Sequence, residues 1–210
     1  QKTAYEIYQC DWSSDVCSSD LLASGAADRL AALLGPDDTF IAVSALAPVK
    51  NLDMLQQNVV LLNAMVGALN RVTPRHIINI GSDAVFGDEP LPLTERAPKA
   101  PTSLHGAMHA AREIAFTEIK APLATLRPTL IYGAADPHNG YGPNRFARLA
   151  HAGKDIVLFG EGEERRDHVA VEDVAELALR IVLHRSRGSL NAATGEVRSF
   201  RAVDRKSTRL

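Results

Sequence analysis

Cysteine, aromatic residues and net charge are all scarce in this sequence. Of its 210 residues, 2 are cysteine and 5% are aromatic, and the formal net charge is only -2. So small a charge gives no long-range attraction to nucleic acid or to an anionic membrane surface. The longest apolar stretch, residues 59–69, contains Asn63 and is too short to span a bilayer, and no basic segment precedes an apolar one as in a secretory signal. We therefore expect a soluble, cytoplasmic protein with neither nucleic-acid nor membrane partners.

Glycine is also rare in the first third of the chain. Gly25 and Gly35 are the only glycines before residue 67, and neither follows a strand-like segment. A nucleotide-binding α/β sheet normally has a G-x-G-x-x-G turn after its first strand, because glycine lets the backbone approach a pyrophosphate at a helix N-terminus. The sequence therefore lacks the glycine-rich turn of such a sheet.

The two ends of the chain differ in composition from the rest. Residues 1–21 hold both cysteines, Cys10 and Cys17, and show no sustained helical or strand period. A disulfide or half of a metal site is one interpretation, but a metal needs further thiol or imidazole ligands, and none follow. The segment CDWSSDVCSSDL resembles a translated sequencing adapter, as does DRKSTRL at residues 204–210; a disordered native tail is the alternative. We expect both ends to lie outside the fold and residues 22–203 to form one partial domain, open at both ends.

Helix-like and strand-like segments alternate along residues 22–203. The predicted elements are, in chain order, helix Ala23–Leu34, strand Thr39–Ala45, helix Asn51–Asn70, strand Ile77–Ile80, a helix opening near Ser103, strand Pro122–Arg127, helix Asn144–Ala152, strands Ile156–Phe159 and Val169–Val171, helix Val174–Leu183 and strand Leu190–Ala193. A chain of this length that is 46% hydrophobic can bury one good core. Such alternation favours an α/β fold, a parallel sheet with helices on both faces.

The most informative stretch is a buried strand followed by a polar turn. Residues 77–80 (IINI) form a short apolar, β-branched run that suits a doubly covered parallel sheet, and Gly81 ends it. Ligands of open α/β sheets bind beyond the carboxyl ends of the strands. Ser82 therefore stands where chemistry is expected.

The helix after this turn carries two histidines. His105 and His109 are four residues apart, so they lie on one helix face about one turn from each other. The intervening Pro-rich loop can fold that face back over the strand end. We expect the two imidazoles and the Ser82 hydroxyl to share a cleft.

Residues 82–87 (SDAVFG), followed by a helix with a residue pair at i and i+4, resemble the extended short-chain dehydrogenase/reductase family, the NAD-dependent epimerases and dehydratases. That family has a Ser or Thr just before Val-Tyr-Gly and a Tyr-x-x-x-Lys pair on the next helix. The resemblance implies a Rossmann-like, doubly wound parallel sheet, here without its N-terminal strands and glycine-rich turn, and with part of a small substrate lobe. It also implies NAD or NADP as cofactor and a sugar nucleotide or another hydroxyl or keto compound as substrate, and it allows a homodimer.

The resemblance assigns roles to three side chains. Ser82 takes the Ser/Thr position, which polarises the substrate oxygen; His105 takes the Tyr position, the general acid/base; His109 takes the Lys position, which lowers the Tyr pKa and holds the nicotinamide ribose. Histidine has an ordinary pKa of about 6.5, so His105 can itself act as acid or base, but His109 would be largely neutral near physiological pH and supply no permanent charge. We therefore expect this chain neither to hold the dinucleotide tightly nor to turn over.

Further positions match the cofactor and substrate sides of the family. The cofactor side comprises Ser44, Ala45, Asn58, Gly81 and Pro128 together with His109, and the substrate side comprises Asn144 and Arg166. Some have structural alternatives: ordinary close packing for Ser44 and Ala45, a buried partner for Asn58, and a surface ion pair with Asp167 or Glu172 for Arg166.

Three other functions use the same residues. A His-x-x-x-His pair can bind zinc, but the Glu of H-E-x-x-H is missing and a catalytic zinc needs a third ligand, so we expect no metal. A hydrolase with Ser82 and His105 would need glycines where Ile80 and Ala84 stand. A non-catalytic binding module of the same fold is the third alternative.

Overall fold

The structure, a computed structural model, describes residues 18–87, 93–134 and 142–207. The chain forms two compact units, one of residues up to Arg127 together with Ala175–Asn191, the other of Pro128–Val174 and the residues from Ala192. Cys10 and Cys17 lie outside the described residues. The exclusion of residues 1–17 and 208–210 from the fold stays a prediction, whereas Ser18–Leu22 and Phe200–Ser207 are helical and Leu21 is buried in the core.

Helices and strands alternate along most of the described chain. In chain order they are α1 (Ser18–Leu22), α2 (Ala26–Leu33), β1 (Thr39–Ala42), α3 (Leu52–Arg71), β2 (His76–Ile80), a 3₁₀ turn (Asp83–Val85), α4 (Leu104–Thr117), β3 (Leu123–Pro128), β4 (Leu130–Tyr132), α5 (Pro143–His151), β5 (Arg165–Ala170), α6 (Val171–His184), β6 (Gly188–Ala192), β7 (Val197–Ser199) and α7 (Phe200–Ser207).

A four-stranded sheet organises the first unit, in the spatial order β1-β2-β3-β6. β1 and β2 run parallel with Thr39 opposite His76, and β2 and β3 run parallel with Ile77 opposite Leu123. The central strand β2 is buried from His76 to Asn79. The predicted α/β fold with a parallel sheet is confirmed, and the predicted strand at residues 77–80 is its centre.

Side-chain caps fix where the two central helices begin. The Asn51 Oδ1 accepts a hydrogen bond from the Met54 N–H at 2.9 Å, and the Ser103 Oγ accepts one from the Gly106 N–H at 3.1 Å. Each cap satisfies a donor that the first helical turn leaves without a partner, which is worth about 1 kcal/mol. The predicted helix starts near Asn51 and Ser103 are confirmed.

The core of the first unit lies between the sheet and helices α2, α3 and α4. Its fully buried side chains include Leu30, Leu61, Met65, Leu69, Ile77 and Phe116. Each such side chain contributes about 1.5–3 kcal/mol by leaving water. This packing holds α4, which carries both histidines, against the sheet.

Strand β1 is shorter than predicted. It ends at Ala42 rather than Ala45, and beyond the strand the Ser44 carbonyl accepts a hydrogen bond from Arg112.

The second unit has its own three-stranded sheet, in the order β4-β5-β7. β4 and β5 are parallel, whereas β5 and β7 are antiparallel with Arg165 opposite Ser199. The rings of Phe146 on α5 and Phe200 on α7 lie edge to face 6.1 Å apart and form the core together with Val203. The sequence did not predict β4, β7 or α7, which are three to eight residues long.

The predicted strand at Ile156–Phe159 is wrong, since the segment belongs to no sheet. Ile156 and Leu158 pack against the aromatic core, while Val157 and Phe159 are 78% and 68% exposed. The alternation of buried and exposed side chains is therefore real, but helices rather than a neighbouring strand cover the buried side.

Two other boundaries differ from the prediction. The helix expected at Ala23–Leu34 corresponds to α2, which begins only at Ala26, because Gly25 directly before it adopts a left-handed conformation with φ of 74°. The strand expected at Val169–Val171 begins earlier, at Arg165, and the helix expected from Val174 begins at Val171.

None of the described helices combines the length and apolar character needed to cross a membrane.

Gly106 gives a test of how closely α4 approaches the sheet. A Cβ at this position would lie 2.0 Å from the Ala84 carbonyl oxygen, whereas a Cβ at Gly67 on α3 would meet only the Ala27 side chain, at 3.2 Å. Both Gly→Ala changes gain about 1 kcal/mol of helix propensity. We expect Gly106→Ala nonetheless to lower the free energy of unfolding by about 2 kcal/mol or more, because backbone cannot yield as a side chain does.

Urea denaturation of the two variants measures the difference. Gly67→Ala is the matched control and should change the free energy of unfolding by less than about 1 kcal/mol. Equal stability of the two variants would show that α4 does not contact the turn after β2 as described.

Candidate active site

Ser82 lies where the sequence predicts it, directly after the central strand. The strand-end position is fixed by Gly81, whose N–H donates to the Leu126 carbonyl at 2.8 Å. The Ser82 Oγ accepts from the Ala84 N–H at 3.1 Å and donates to the Asp83 Oδ1 at 3.2 Å. Ser82 therefore caps the 3₁₀ turn, and its proton is directed to a neighbouring carboxylate.

The start of α4 rests on this 3₁₀ turn. Gly106 is in close contact with Ala84, with room for hydrogen but not for a Cβ. Gly106 follows His105 directly and Ala84 is two residues after Ser82, so the helix bearing the histidines and the turn bearing the serine are in contact. Among the described side chains, the hydrogen bonds of Ser82 go to Asp83 and Ala84 and none joins it to an imidazole.

The two histidines form an edge-to-face pair on α4, and their spacing predicts that they lie together. Their ring centroids are 4.7 Å apart and the rings are perpendicular. His109 is 6% exposed, and His105 is half-buried. Among the described residues, the Nδ1 atoms of both rings are buried without a hydrogen-bond partner. Neither Nδ1 atom is used in a hydrogen bond within the described part of the protein.

Burial makes both imidazoles weak bases. Loss of solvent lowers the pKa of His105. The pKa of His109 is lowered to about 3, first by burial and then by the positive charges of His105 and Arg112. Both rings are therefore neutral near physiological pH, and His109 provides no permanent cation.

A buried ion cluster behind the strand end was not predicted. Arg127 on β3 donates from Nε and NH2 to the two carboxylate oxygens of Glu113, at 2.7 and 2.9 Å, and the Lys99 Nζ lies 2.6 Å from the same carboxylate. The Arg127 guanidinium also lies 5.3 Å from the centre of the Phe86 ring. Burial raises the pKa of Glu113, but the hydrogen bonds and charges of Arg127 and Lys99 outweigh it and leave that pKa below its ordinary value. A signal was present in the sequence, because charged residues inside otherwise apolar segments need partners.

Arg112 is a second buried cation, only 2% exposed. It donates from NH1 to the Ser44 carbonyl at 3.1 Å and from NH2 to the Ala42 carbonyl at 3.0 Å. Its Nε has no partner among the described residues. Burial lowers the pKa of Arg112 to about 10, so the guanidinium stays charged near neutrality.

Asn58 has the buried partner that its position on an apolar face requires. Its Oδ1 accepts from the Leu46 N–H at 3.0 Å, and its Nδ2 donates to the carbonyls of Leu46 and Met54 at 3.0 and 2.8 Å. The amide protons are thus used within the protein. Ser44 and Ala45 lie half-buried on the segment that Asn58 and Arg112 hold.

The remaining predicted positions lie in the second unit. Pro128 is the buried last residue of β3. The Asn144 Oδ1 accepts from the Gly133 N–H at 3.2 Å. Arg166 forms an exposed ion pair, as expected for its alternative role, and Glu164 is a partner in it, with 2.7 Å between NH2 and Oε1.

Asp167, next to Arg166, has a structural role that was not predicted. Its carboxylate accepts hydrogen bonds from the Thr129 hydroxyl, from the Thr194 N–H and hydroxyl, and from the Gly195 N–H at 2.7 Å. It therefore holds the loop between β6 and β7.

No group of three or more side chains suited to a metal ion occurs among the described residues.

A family model described as the NAD dependent epimerase/dehydratase family matches residues 2–193. Among curated proteins, the chain is 34% identical over 100 residues to ADP-L-glycero-D-manno-heptose-6-epimerase of Pseudomonas paraeruginosa, covering 42% of this chain and 30% of that protein. It is 28% identical over 146 residues to the trifunctional UDP-glucose 4,6-dehydratase/UDP-4-keto-6-deoxy-D-glucose 3,5-epimerase/UDP-4-keto-L-rhamnose-reductase RHM3 of Arabidopsis thaliana, covering 62% of this chain and 20% of that protein. The chain thus matches less than a third of the length of either relative.

Solved structures share the fold at low identity. MoeE5 in complex with UDP-glucose and NAD superposes with a TM-score of 0.80 at 22% identity, over 90% of this chain and 66% of that one. UDP-N-acetylglucosamine 4-epimerase from Methanobrevibacter ruminantium M1, in complex with UDP-N-acetylmuramic acid, gives 0.78 at 22% identity, over 89% and 63%. WbmG of Bordetella bronchiseptica, in complex with NAD, gives 0.74 at 21% identity, over 90% and 60%. The Rossmann-like fold is confirmed.

The protonation state of His109 should appear in the pH dependence of stability. Its folded pKa of about 3 lies below the ordinary value of 6.5, so its contribution is complete above pH 6.5 and is lost as the pH falls toward the folded value. The window from pH 6.5 to pH 4.5 lies between the ordinary pKa values of histidine and glutamate. Within it, His109 should lower the free energy of unfolding by up to about 1.4 kcal/mol for each unit that the pH falls.

Urea denaturation at several pH values within that window checks this. His109→Gln should flatten the slope, and His184→Gln, at an exposed histidine, should leave it unchanged. A slope that is the same in His109→Gln and the wild type would mean that His109 is not buried in the neutral form.

The ion pair of Glu113 and Arg127 should be among the costliest to break. Glu113→Gln leaves Arg127, which is 3% exposed, and Lys99 without their counter-charge, and we expect a loss of about 3–5 kcal/mol in the free energy of unfolding. Glu176→Gln, which breaks an exposed pair with Arg180, is the control and should cost less than about 0.5 kcal/mol. Comparable denaturation midpoints for the two variants would contradict the buried cluster.

Proposed function

Because the chain belongs to the NAD-dependent epimerase/dehydratase family, we propose that it forms part of an enzyme that works with NAD or NADP as an epimerase, dehydratase or reductase. The substrate class is a sugar nucleotide or another hydroxyl or keto compound. The observation that carries the proposal is the imidazole pair, 4.7 Å between centroids, on a helix packed against the turn that follows Ser82. Ligands of parallel α/β sheets bind at such strand ends.

The similar proteins support the substrate class. MoeE5 is bound to UDP-glucose and NAD, and the archaeal epimerase to UDP-N-acetylmuramic acid. The bacterial curated relative is named for an ADP-linked heptose. All three are sugar nucleotides, and they differ in base and sugar, so the class is proposed here without a particular member.

The described residues fit the nicotinamide ribose end of a dinucleotide. The unpartnered Nδ1 atoms of His105 and His109 are buried among the described residues, and a buried polar atom gains most when a ligand hydroxyl supplies the missing hydrogen bond. Ser44 and Ala45, half-buried at the exit of β1, border the same site in this proposal. The glycine-rich turn that would take the pyrophosphate is missing from the sequence.

When bound, NAD or NADP supplies the hydride acceptor and donor. Ser82 would turn its hydroxyl proton from the Asp83 carboxylate toward the substrate oxygen. The resulting hydrogen bond would polarise that oxygen. His105, a neutral imidazole, accepts the proton of the substrate hydroxyl. His109 would form a hydrogen bond with a ribose hydroxyl. Asn144 and Arg166 remain the proposed contacts on the substrate side, where a guanidinium suits a phosphate.

This chemistry should be slow. Burial lowers the pKa of His105, so the ring resists the positive charge that it acquires on taking a proton. His109 supplies no permanent charge to offset this, and the phosphate turn is missing. The chain as it stands therefore binds the dinucleotide weakly and turns over little or not at all.

Isothermal titration of NAD and of NADP into the purified chain tests the binding part. We expect no saturable binding in the micromolar range. Micromolar affinity in the wild-type chain would contradict the impairment, although it would leave the family function intact.

The contribution of the histidines is tested in a chimaera in which a glycine-rich nucleotide-binding unit of the family precedes residue 22. With UDP-glucose as the probe substrate, the double variant His105→Tyr and His109→Lys should raise the rate of NADH formation at least about 100-fold, as expected for a restored general acid/base. His151→Tyr with His184→Lys, at two exposed positions, is the matched control and should have no effect.

A non-catalytic binding module of the same fold is the second candidate. The neutrality of both buried imidazoles favours it, because neutral rings bind hydroxyls but supply neither a ready acid nor a cation. In the chimaera this candidate predicts that the double variant binds NAD and UDP-glucose yet gains no oxidoreductase activity.

A further inference from the structure

We propose that Arg112 is a positioning residue of the imidazole site, which holds the exit of β1 beside the histidines and provides the fixed positive charge that the histidines do not. The inference rests on the proposed function, since it assigns a role within the same site. It begins from a buried guanidinium that forms no ion pair with the described residues.

Side chains of α4 and α3 hold residues 42–46, the exit of β1. Arg112 donates to the carbonyls of Ala42 and Ser44 at 3.0 and 3.1 Å. From the other side, Asn58 holds both the N–H and the carbonyl of Leu46 at 3.0 Å. Four backbone groups within five residues are thus tied by side chains, so the segment that carries Ser44 and Ala45 has little freedom to move.

Arg112 lies on α4, the helix that bears both histidines. It follows His109 by three residues, so its side chain lies on the same helix face, one turn further from the helix start. One helix face therefore bears the imidazole pair and the side chain that holds the β1 exit. Displacement of either the helix or the segment breaks the bonds of Arg112, so this residue links the position of the histidines to that of the segment.

The positive charge of Arg112 is met by backbone carbonyls and not by a carboxylate of the described residues. Arg112 is 2% exposed, its acceptors are carbonyls, and its Nε lacks any partner in the described part of the chain. A buried cation normally pairs with an anion. Carbonyl dipoles meet part of this requirement, but they leave the net charge in place, and that charge acts on His109.

Other charged groups around α4 are engaged with one another. On the loop and β3, Lys99 and Arg127 both bind Glu113. On the 3₁₀ turn, Asp83 accepts the Ser82 hydroxyl.

The remaining neighbours of α4 carry little charge. Helix α3 has only Asp53 and Arg71, near its two ends, and Arg71 pairs with Asp28. Strand β1 has no titratable side chain, and His76 at the start of β2 bonds through Nε2 to the Ser186 carbonyl. Arg112 is thus the cation of this face without a carboxylate partner among the described residues.

In this proposal, the permanent positive charge of the site lies at position 112 of α4 and not at position 109. A lysine at position 109 would place its ammonium at the cleft, whereas Arg112 keeps its guanidinium below the imidazoles. There it favours neutral rings and any negative charge that develops on the substrate oxygen, without itself touching the ligand.

The test compares Arg112→Met, which removes charge and donors, with Arg112→Lys, which keeps the charge but cannot bridge two carbonyls in the same way. Hydrogen exchange of the amides of residues 43–46 and the NMR titration of the His109 ring are measured in the unliganded 210-residue chain. We expect Arg112→Met to speed exchange about tenfold or more and to raise the pKa of His109 by about half a unit or more. Arg112→Lys should speed exchange as well but leave the pKa of His109 near the wild-type value.

Arg71→Met, at an exposed arginine of α3, is the control and should change neither quantity. If Arg112→Met does not fold, Arg112→Gln replaces it, since it keeps one donor without the charge. Unchanged exchange and an unchanged pKa in the neutral variant would overturn the proposal, and an equal rise of the pKa in Arg112→Lys would overturn the role of the charge. Because no dinucleotide is present, these results are independent of the binding experiments that test the proposed function.

Discussion

Burial of charged and titratable groups on one face of α4 is the constraint on which the rest of the first unit depends. His109, Arg112 and Glu113 are 6%, 2% and 3% exposed, and each requires compensation that water would otherwise give. The three solutions differ: Glu113 binds two cations, Arg112 binds backbone carbonyls, and His109 gives up its proton. Together they connect α4 to the loop before it, to β3 and to the exit of β1. The polar face of α4 therefore positions the site, as the apolar core positions the helices on the sheet.

The parts of the fold that could be predicted are those that depend on local signals. Residues 77–80 are a β-branched run stopped by glycine, and Asn51 and Ser103 are ordinary caps, so strand and helix starts followed from the sequence. The 156–159 segment also alternates, yet it pairs with no strand, because alternation reports which side chains are buried and not what covers them. Strand pairing is a property of distant parts of the chain.

The same distinction separates the predicted from the unpredicted site residues. The i and i+4 spacing was enough to place His105 and His109 together. Arg112 was missed because its acceptor at Ala42 is 70 residues away in sequence, and nothing in the helical pattern indicates which backbone it meets. The catalytic, cofactor and substrate roles of the predicted residues concern ligands, and they remain predictions for the experiments.

The absence of a side chain at Gly106 has a consequence for the effect of substitutions at positions 105 and 109. Since the helix touches the Ala84 carbonyl through hydrogen alone, its height above the sheet is set at a position outside the imidazole pair. Replacements at 105 and 109 alter reach and charge while the scaffold beneath them keeps its shape. The position of the helix and the chemistry of the side chains at 105 and 109 are therefore determined by different residues.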